Sequence, residues 1–298
     1  MVYAQLSNSL VFALSLCLLD DIIKNDSYSI KSIIFVIQTL RMSLSTTEIT
    51  SGEIASDNPI HQRLLFAYAE AGKMISGNVL DIGCGEGRGL EYLLKNVSHY
   101  TAIDKIQLVL DALKAKYPQH NFIQGNIPPF PIQADGQFDF VVSFQVIEHI
   151  EDHEGYIREI VRMLKPGGKA IISTPNIDMS LTRNPWHVRE YKVEEMRNLF
   201  KKYFSKVELK GVYGAKNVND YFEQNKKSVE KITRWDIFNL QYNLPRTWLQ
   251  IPYDILNRMN RNKLSTTNDE LVKSITINDF RLENADEKCY DLFLIAEK

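Results

Sequence analysis

The chain has little cysteine, almost no net charge and no long apolar run, and each lack closes off a class of protein. Its three cysteines (Cys17, Cys84, Cys289) are odd in number, far apart and outside any C-x-x-C spacing. That excludes a disulfide framework or a thiolate metal site and fits a reducing, cytoplasmic setting. Lys+Arg 35 against Asp+Glu 37 leaves a formal charge of −2. No global field then draws nucleic acid or acidic lipid, and such a partner needs a local basic patch. The apolar runs at 10–19 and 30–40 are broken by Asp20, Asp21, Lys24 and Asp26. Each is about half of the roughly twenty residues a spanning helix requires. The first ten residues hold no Lys or Arg, so the basic region of a secretory signal is missing. There is no internal repeat or low-complexity tract. Hydrophobic residues at 44% and charged residues at 24% are ordinary for a globular protein, which excludes disorder, a collagen-like repeat or a multi-span membrane protein for most of the chain.

Residues 1–48 read as an N-terminal leader or extension. Three forms fit it: an extra helical hairpin, a membrane-surface anchor, or a leader outside the working protein. Met42 opens a polar stretch that resembles a natural start, which would make 1–41 dispensable.

From Asp57 the pattern becomes regular. Asp57 or Asn58 is positioned to cap a helix with Pro59 in its first turn, and Ile60, Leu64, Leu65, Tyr68, Ala71 and Ile75 follow at helical spacing. Strands are expected at 78–82, 100–104, 122–126, 138–144, 169–175 and 206–213. Helices are expected after the glycine-rich loop and at 106–116, 153–164 and 193–203. Lys165-Pro166-Gly167-Gly168 is a strong helix stop. This alternation predicts an α/β fold, a mostly parallel sheet with helices on both faces. It breaks at 215–272, where helices are expected, and a last strand is expected at 290–298. The division that follows is a core at 49–214, a cap or lid insertion at 215–289 and a last core strand at 290–298.

The segment VLDIGCGEGRG places Gly83, Gly85 and Gly87 directly after a strand. Glycine permits positive φ and lets a ligand lie against the backbone, and a following helix N-terminus supplies amide donors. Asp104, at the tip of the next strand, is positioned for a ribose diol. Dinucleotide sites use G-x-G-x-x-G, and here the third glycine position is Arg88, so that match fails. Asp81, at the tip of the first strand, repels a pyrophosphate and suits a ligand with an amino group and a sulfonium, which is S-adenosylmethionine.

On these residues the sequence resembles the class I S-adenosylmethionine-dependent methyltransferases of the type 11 domain, including ubiquinone-pathway O-methyltransferases. VLDIGCGEG is similar to the family's first motif, AID to its ribose acid and GNIPPFP to its motif after the third strand. FDFVVSFQVIEHI and LKPGGKAIISTPN are similar to the fourth- and fifth-strand segments. The resemblance implies a Rossmann-like seven-stranded sheet with an antiparallel last strand and a helical cap insertion before it. It also implies cofactor contacts from Asp81, Gly83, Gly85, Gly87 and Asp104. Lys105, Asn126, Ile127 and Gln145 join them, with Asn126 where the family usually has Asp.

The candidate catalytic residues are His149, His187 and Glu148. Gln145, Glu148 and His149 follow strand four, where one helical turn would align 145 with 149. His187 follows strand five, at the ligand-binding edge of an open α/β sheet. In one reading His149, or secondly His187, is a general base for an acceptor hydroxyl. In another, Glu148, His149 and His187 hold a divalent metal, as the similar motif E-x-x-E-H does in small-RNA 2′-O-methyltransferases. Gln145 stands at the first acidic position of that motif, so no metal ligand is assigned. In a third, Glu148 and His149 only begin a helix. Trp186, Arg189 and Tyr191 fit a substrate pocket or core packing, and His61 and Arg63 fit first an exposed helix face and secondly the cleft.

Between 215 and 264 there are nine Lys or Arg against five Asp or Glu. The stretch 244–264 interleaves Trp248, Leu249, Ile251, Ile255, Leu256 and Met259 with Arg246, Arg258, Arg261 and Lys263. It fits a lid, a peripheral membrane contact or, with no recognised binding motif to support it, a nucleic-acid contact. The expected protein is a cytoplasmic methyltransferase acting on oxygen of a small-molecule or lipid-linked acceptor. The alternatives are small-molecule N-methylation, RNA 2′-O-methylation, or a non-catalytic cofactor-binding module.

Overall fold

The computed structural model describes residues 54–236 and 239–298; the readings for residues 1–48 fall outside them. A helix α1 (Asn58–Gly72) leads into β1 (Gly77–Ile82), α2 (Leu90–Leu93), β2 (Val97–Asp104), α3 (Gln107–Lys116) and β3 (Asn121–Gln124). Next come β4 (Phe138–Phe144), α4 (His153–Met163), β5 (Leu164–Pro175), α5 (Val193–Lys201) and β6 (Lys206–Gly214). Helices α6 (Lys216–Thr233), α7 (Leu240–Asn243), α8 (Arg246–Thr267) and α9 (Asp269–Ser274) precede β7 (Phe280–Asn284) and β8 (Asp291–Glu297).

The strands form one sheet in the order β3-β2-β1-β4-β5-β8-β6-β7. β1 pairs parallel with β2 and β4, while β8 runs antiparallel to both β5 and β6. Successive side chains on a strand point to opposite faces, and the apolar runs divide accordingly. Val79, Val142, Ile171 and Phe293 enter the core on one side, with Phe66 and Tyr68 of α1 and Leu110 of α3. Leu80, Val141, Ile172 and Leu294 enter the core on the other, with Tyr156 and Ile160 of α4 and Phe200 of α5. In α4 the buried residues Tyr156, Ile157, Ile160 and Met163 lie on one helical face. Asp152 caps that helix by accepting from Gly155 N at 2.8 Å.

The sheet has eight strands where seven are expected, because β7 forms inside the 215–289 insertion as an antiparallel partner of β6. Its sequence FRLEN is nearly silent: Arg281, Glu283 and Asn284 are exposed at the sheet edge, and only Phe280 is buried. The helix after the glycine loop is a single turn of four residues. It is too short for a helix dipole to act on a ligand there.

Asp57 departs from its expected role. It precedes α1 but makes no side-chain cap bond. Its fully buried carboxylate instead lies 2.8 Å from Arg258 Nη1 and 3.1 Å from Arg261 Nη1 of α8. Ser56 donates to Asn262 at 2.9 Å, and Asn58 donates to the carbonyls of Val272 and Ile275. Helices α8 and α9 are thus fastened to the segment that leads into α1. Among the described residues no helix is long and apolar enough to cross a membrane.

Candidate active site

The parallel strands β1, β2, β4 and β5 deliver their C-terminal tips, and the loops after them, to one edge. Gly83, Gly85 and Gly87 all take positive φ, which glycine alone adopts without strain. A Cβ on Gly83 would lie 2.5 Å from Val146 Cγ2, and one on Gly87 would lie 2.4 Å from Leu90 Cδ1. A Cβ on Gly85 would meet nothing within 4 Å among the described residues. The loop is therefore packed at Gly83 and Gly87 and open at Gly85.

Two carboxylates flank the opening. Asp104 accepts from Gly85 N at 2.9 Å through Oδ2 and from Ile106 N at 2.9 Å through Oδ1, which ties the β2 tip to the loop. Asp81 is 1% exposed. Its Oδ2 accepts from Tyr100 OH at 2.7 Å, while its Oδ1 has no hydrogen-bond partner among the described residues. Burial raises its pKa to about 7, against the hydrogen bond from Tyr100 and helped by the charge of Asp104. Gly125 N donates to the Asp104 carbonyl at 3.0 Å, so the exposed Asn126 and half-buried Ile127 leave β3 beside Asp104. Lys105 is exposed, and its carbonyl accepts from Gln124 Nε2.

At the tip of β4 the expected helical turn from 145 to 149 is absent. Gln145 leaves the strand with φ 57°, and only Ile147–His149 forms a 3-10 turn. Gln145 is drawn towards β5 instead, with its backbone N donating to Ser173 O and its side chain 3.4 Å from Ser173 Oγ. Such strain in a non-glycine residue is typical of functional sites.

The turn nevertheless gathers the three candidate catalytic side chains. One ligand atom from each of Glu148, His149 and His187 lies within 4.8 Å of the others. The Glu148 carbonyl accepts from Val188 N at 2.7 Å, which locks the β4 turn to the loop after β5. Its fully buried carboxylate accepts from Thr174 Oγ1 at 3.0 Å. His149 Nδ1 lies 3.1 Å from the Trp186 carbonyl oxygen. A carbonyl only accepts, so Nδ1 carries the proton and the neutral ring's lone pair is on Nε2. His187 is held at both nitrogens. Nδ1 is 2.6 Å from Glu190 Oε1, and Nε2 is 2.8 Å from Asn184 Nδ2, whose Oδ1 accepts from Trp186 N. The lone pair of His187 therefore faces the Asn184 amide, and its ring packs edge-on to His149 at 5.0 Å between centroids. Tyr191 is buried, with its hydroxyl 2.8 Å from His153, and Arg189 reaches the same imidazole at 3.0 Å.

Sequence reasoning missed Tyr100, Gly89 and Asp291, and for His61 and Arg63 it ranked an exposed helix face ahead of the cleft. A Cβ on Gly89 would fall 1.9 Å from the Tyr68 ring, a constraint visible only when α1 is laid over the loop. Because β8 is antiparallel, its first residue Asp291 meets the C-terminal tip of β5, in register with Pro175. Asp291 is buried, which raises its pKa, and Arg63 Nε lies 3.1 Å from its Oδ2. His61 is half-buried and its pKa is lowered, chiefly by burial and then by the Arg88 charge. Both residues face inward instead of lying on an exposed helix face. The antiparallel strand implied by the family resemblance was the one signal that pointed to Asp291.

Residues 80–172 match a family model described as a methyltransferase domain. A protein of Mycolicibacterium smegmatis, named a probable S-adenosylmethionine-dependent methyltransferase, is 34% identical over 160 residues, covering 52% of this chain and 62% of that protein. A Mycobacterium tuberculosis protein of the same description is 34% identical over 145 residues, 47% of this chain and 50% of its own. The ubiquinone biosynthesis O-methyltransferase of Escherichia fergusonii is 30% identical over 127 residues, 40% of this chain and 52% of its own. The chain thus spans between half and about three fifths of the length of these curated relatives.

Proposed function

We propose that this chain, whose residues 80–172 form a methyltransferase domain of the class I S-adenosylmethionine-dependent family, transfers a methyl group to an oxygen of a small-molecule or lipid-linked acceptor, with His149 as general base. The observation that carries the cofactor part is the buried Asp81 carboxylate, whose Oδ1 lacks a partner among the described residues, on the strand that leads into the open face of Gly85. An ammonium group satisfies both the orphaned oxygen and the desolvated charge. Asp104 supplies acceptor lone pairs for a vicinal diol, and the absent Cβ at Gly85 leaves room for a nucleoside against the backbone. When bound, S-adenosylmethionine supplies a methyl group on a positively charged sulfur, an already activated leaving group.

Holding the acceptor in line is the largest contribution the protein makes, worth about 7–11 kcal/mol when the geometry is near-attack. His149 then takes the acceptor proton on Nε2 while the Trp186 carbonyl steadies Nδ1–H. This contributes about 10²–10⁴-fold. His187, with its lone pair engaged by Asn184, orients the pair instead of acting as the first base. A cytoplasmic setting belongs to the same reading and is supported by the buried free thiols of Cys84 and Cys289.

A second reading is favoured by the close approach of Glu148, His149 and His187. One carboxylate and two imidazoles suit a divalent transition metal, which would polarise the acceptor hydroxyl once Asn184 yields the His187 Nε2 lone pair to it. Single-turnover transfer to catechol and amine acceptors, with and without Mn²⁺, tests both. Transfer to oxygen that needs no metal and is lost in His149→Ala supports the first reading. Absolute dependence on Mn²⁺ supports the second, and transfer to amines alone refutes O-methylation.

A further inference from the structure

Helix α8 is turned inside out. On a helix packed against a globular body the apolar side faces inward and the polar side faces water. In α8 the buried positions are Asn260, Arg261 and Leu264. The polar residues are the fasteners: Arg258 and Arg261 to Asp57, Asn260 to Asn225 and Ser228 of α6, Asp254 to Trp186, and Arg246 to the His187 carbonyl. Apart from the buried Leu264 and the half-buried Leu249, the apolar residues point the other way. Trp248, Ile251, Ile255 and Met259 are 55–70% exposed and recur at intervals of three and four, a continuous stripe along more than three turns. Leu256 of the same helix, Leu240 and Tyr242 of α7, and Trp235 after α6 are exposed as well. Scattered apolar residues on a surface are ordinary, but a stripe backed by inward-facing arginines needs a cover.

Charge identifies that cover. Once Arg246, Arg258 and Arg261 are committed to inward partners, the exposed cations from 226 to 263 are Lys226, Lys227, Lys231, Arg234 and Lys263. The exposed anion among them is Glu230; Asp236 caps α7 and Asp254 is bonded to Trp186. An apolar stripe that begins at Trp248, on a segment whose exposed charges are five cations against one anion, matches the boundary between the headgroups and acyl chains of an anionic bilayer.

We infer that α8, flanked by the C-terminal half of α6, docks this protein on an anionic membrane surface. The helix lies in the plane of the interface with Trp248, Ile251, Ile255 and Met259 among the acyl chains. The lysines of α6 face the headgroups. The inference goes beyond methyl transfer and does not depend on it. It also gives the loop that carries His187 a fixed address, because Arg246 and Asp254 on the opposite side of α8 hold that loop.

The test is co-sedimentation of the full chain with phosphatidylcholine vesicles containing about 30 mol% phosphatidylglycerol, scored without cofactor, beside pure phosphatidylcholine vesicles. The paired variant is Ile255→Glu with Met259→Glu, two exposed changes that leave every fastening contact intact. Binding to anionic vesicles, weaker on neutral ones and about a hundredfold weaker in the double variant, is the expected result. The variant should melt with the parent and bind S-adenosylhomocysteine as tightly. No vesicle binding by the parent overturns the inference. So does equal binding by the variant, which would put the contact elsewhere in the chain. Concentration-dependent dimerisation abolished by the variant, with no vesicle binding, would make a second copy the cover and overturn it too.

Discussion

Gly85→Ala separates a ligand-binding role for the glycine loop from a merely structural one. Among the described residues the new Cβ meets nothing within 4 Å, so its cost is confined to the backbone at φ +50°. A left-handed conformation costs a residue with a Cβ roughly 1–2 kcal/mol. In a domain of this size that lowers Tm by about 2–8 °C. Gly89→Ala is the control, since its Cβ would sit 1.9 Å from the Tyr68 ring and force a shift in the core between α1 and the loop. Overpacking of this kind costs about 1–3 kcal/mol or more. Calorimetric titration with S-adenosylhomocysteine beside thermal melts gives the assay. Gly85→Ala should fold and lose at least about tenfold in affinity, a change of about 1.4 kcal/mol. Gly89→Ala should lose more stability than Gly85→Ala. Unchanged affinity in Gly85→Ala would refute the placement of a ligand against this backbone.

Asp81 makes stability and binding depend on pH in opposite senses. With its folded-state pKa at about 7, the ligand-free chain keeps a proton on Asp81 that the unfolded chain loses near the ordinary carboxylate value. Stability should therefore fall as pH rises from about 4 to 7 and level off above, by at most about 4 kcal/mol. Affinity for a ligand bearing an ammonium should rise over pH 6–8 as Asp81 ionises, and Asp81→Asn should flatten both profiles; a pH-independent affinity in the parent contradicts this. His149→Ala should lower turnover by about 10²–10⁴-fold with cofactor affinity unchanged, read by single-turnover kinetics and titration on the same samples. Arg261→Met removes one of the two arginines on the buried Asp57 while Arg258 remains, and should cost about 1–3 kcal/mol in urea unfolding. Adding Asp57→Asn should recover part of that loss.

The central strands were legible because a sheet buried on both faces writes itself as apolar runs, as in the 138–144 and 169–175 segments. The positions of Gly83, Gly85 and Gly87 were equally plain, since the turn they make is local. What the sequence hid depended on partners far along the chain. Asp57 reads as a helix cap, and only the approach of Arg258 and Arg261, about 200 residues on, makes it the anchor of α8. Strand β7 is polar at the edge and shows no apolar run. Gln145 looks like the start of a helical turn until the bond from its backbone N to Ser173 pulls it into the left-handed region. The apolar residues of α8 were visible as a pattern, but which way the pattern faced was not.

The most direct test of the account is calorimetric titration of the full chain with S-adenosylhomocysteine and, separately, with NADH at pH 8. One-to-one binding of S-adenosylhomocysteine with a Kd of about 1–100 μM, with no heat from NADH, is the predicted result. Binding of NADH, or silence from both, would contradict the assignment of the Asp81–Gly85–Asp104 site to an S-adenosyl ligand.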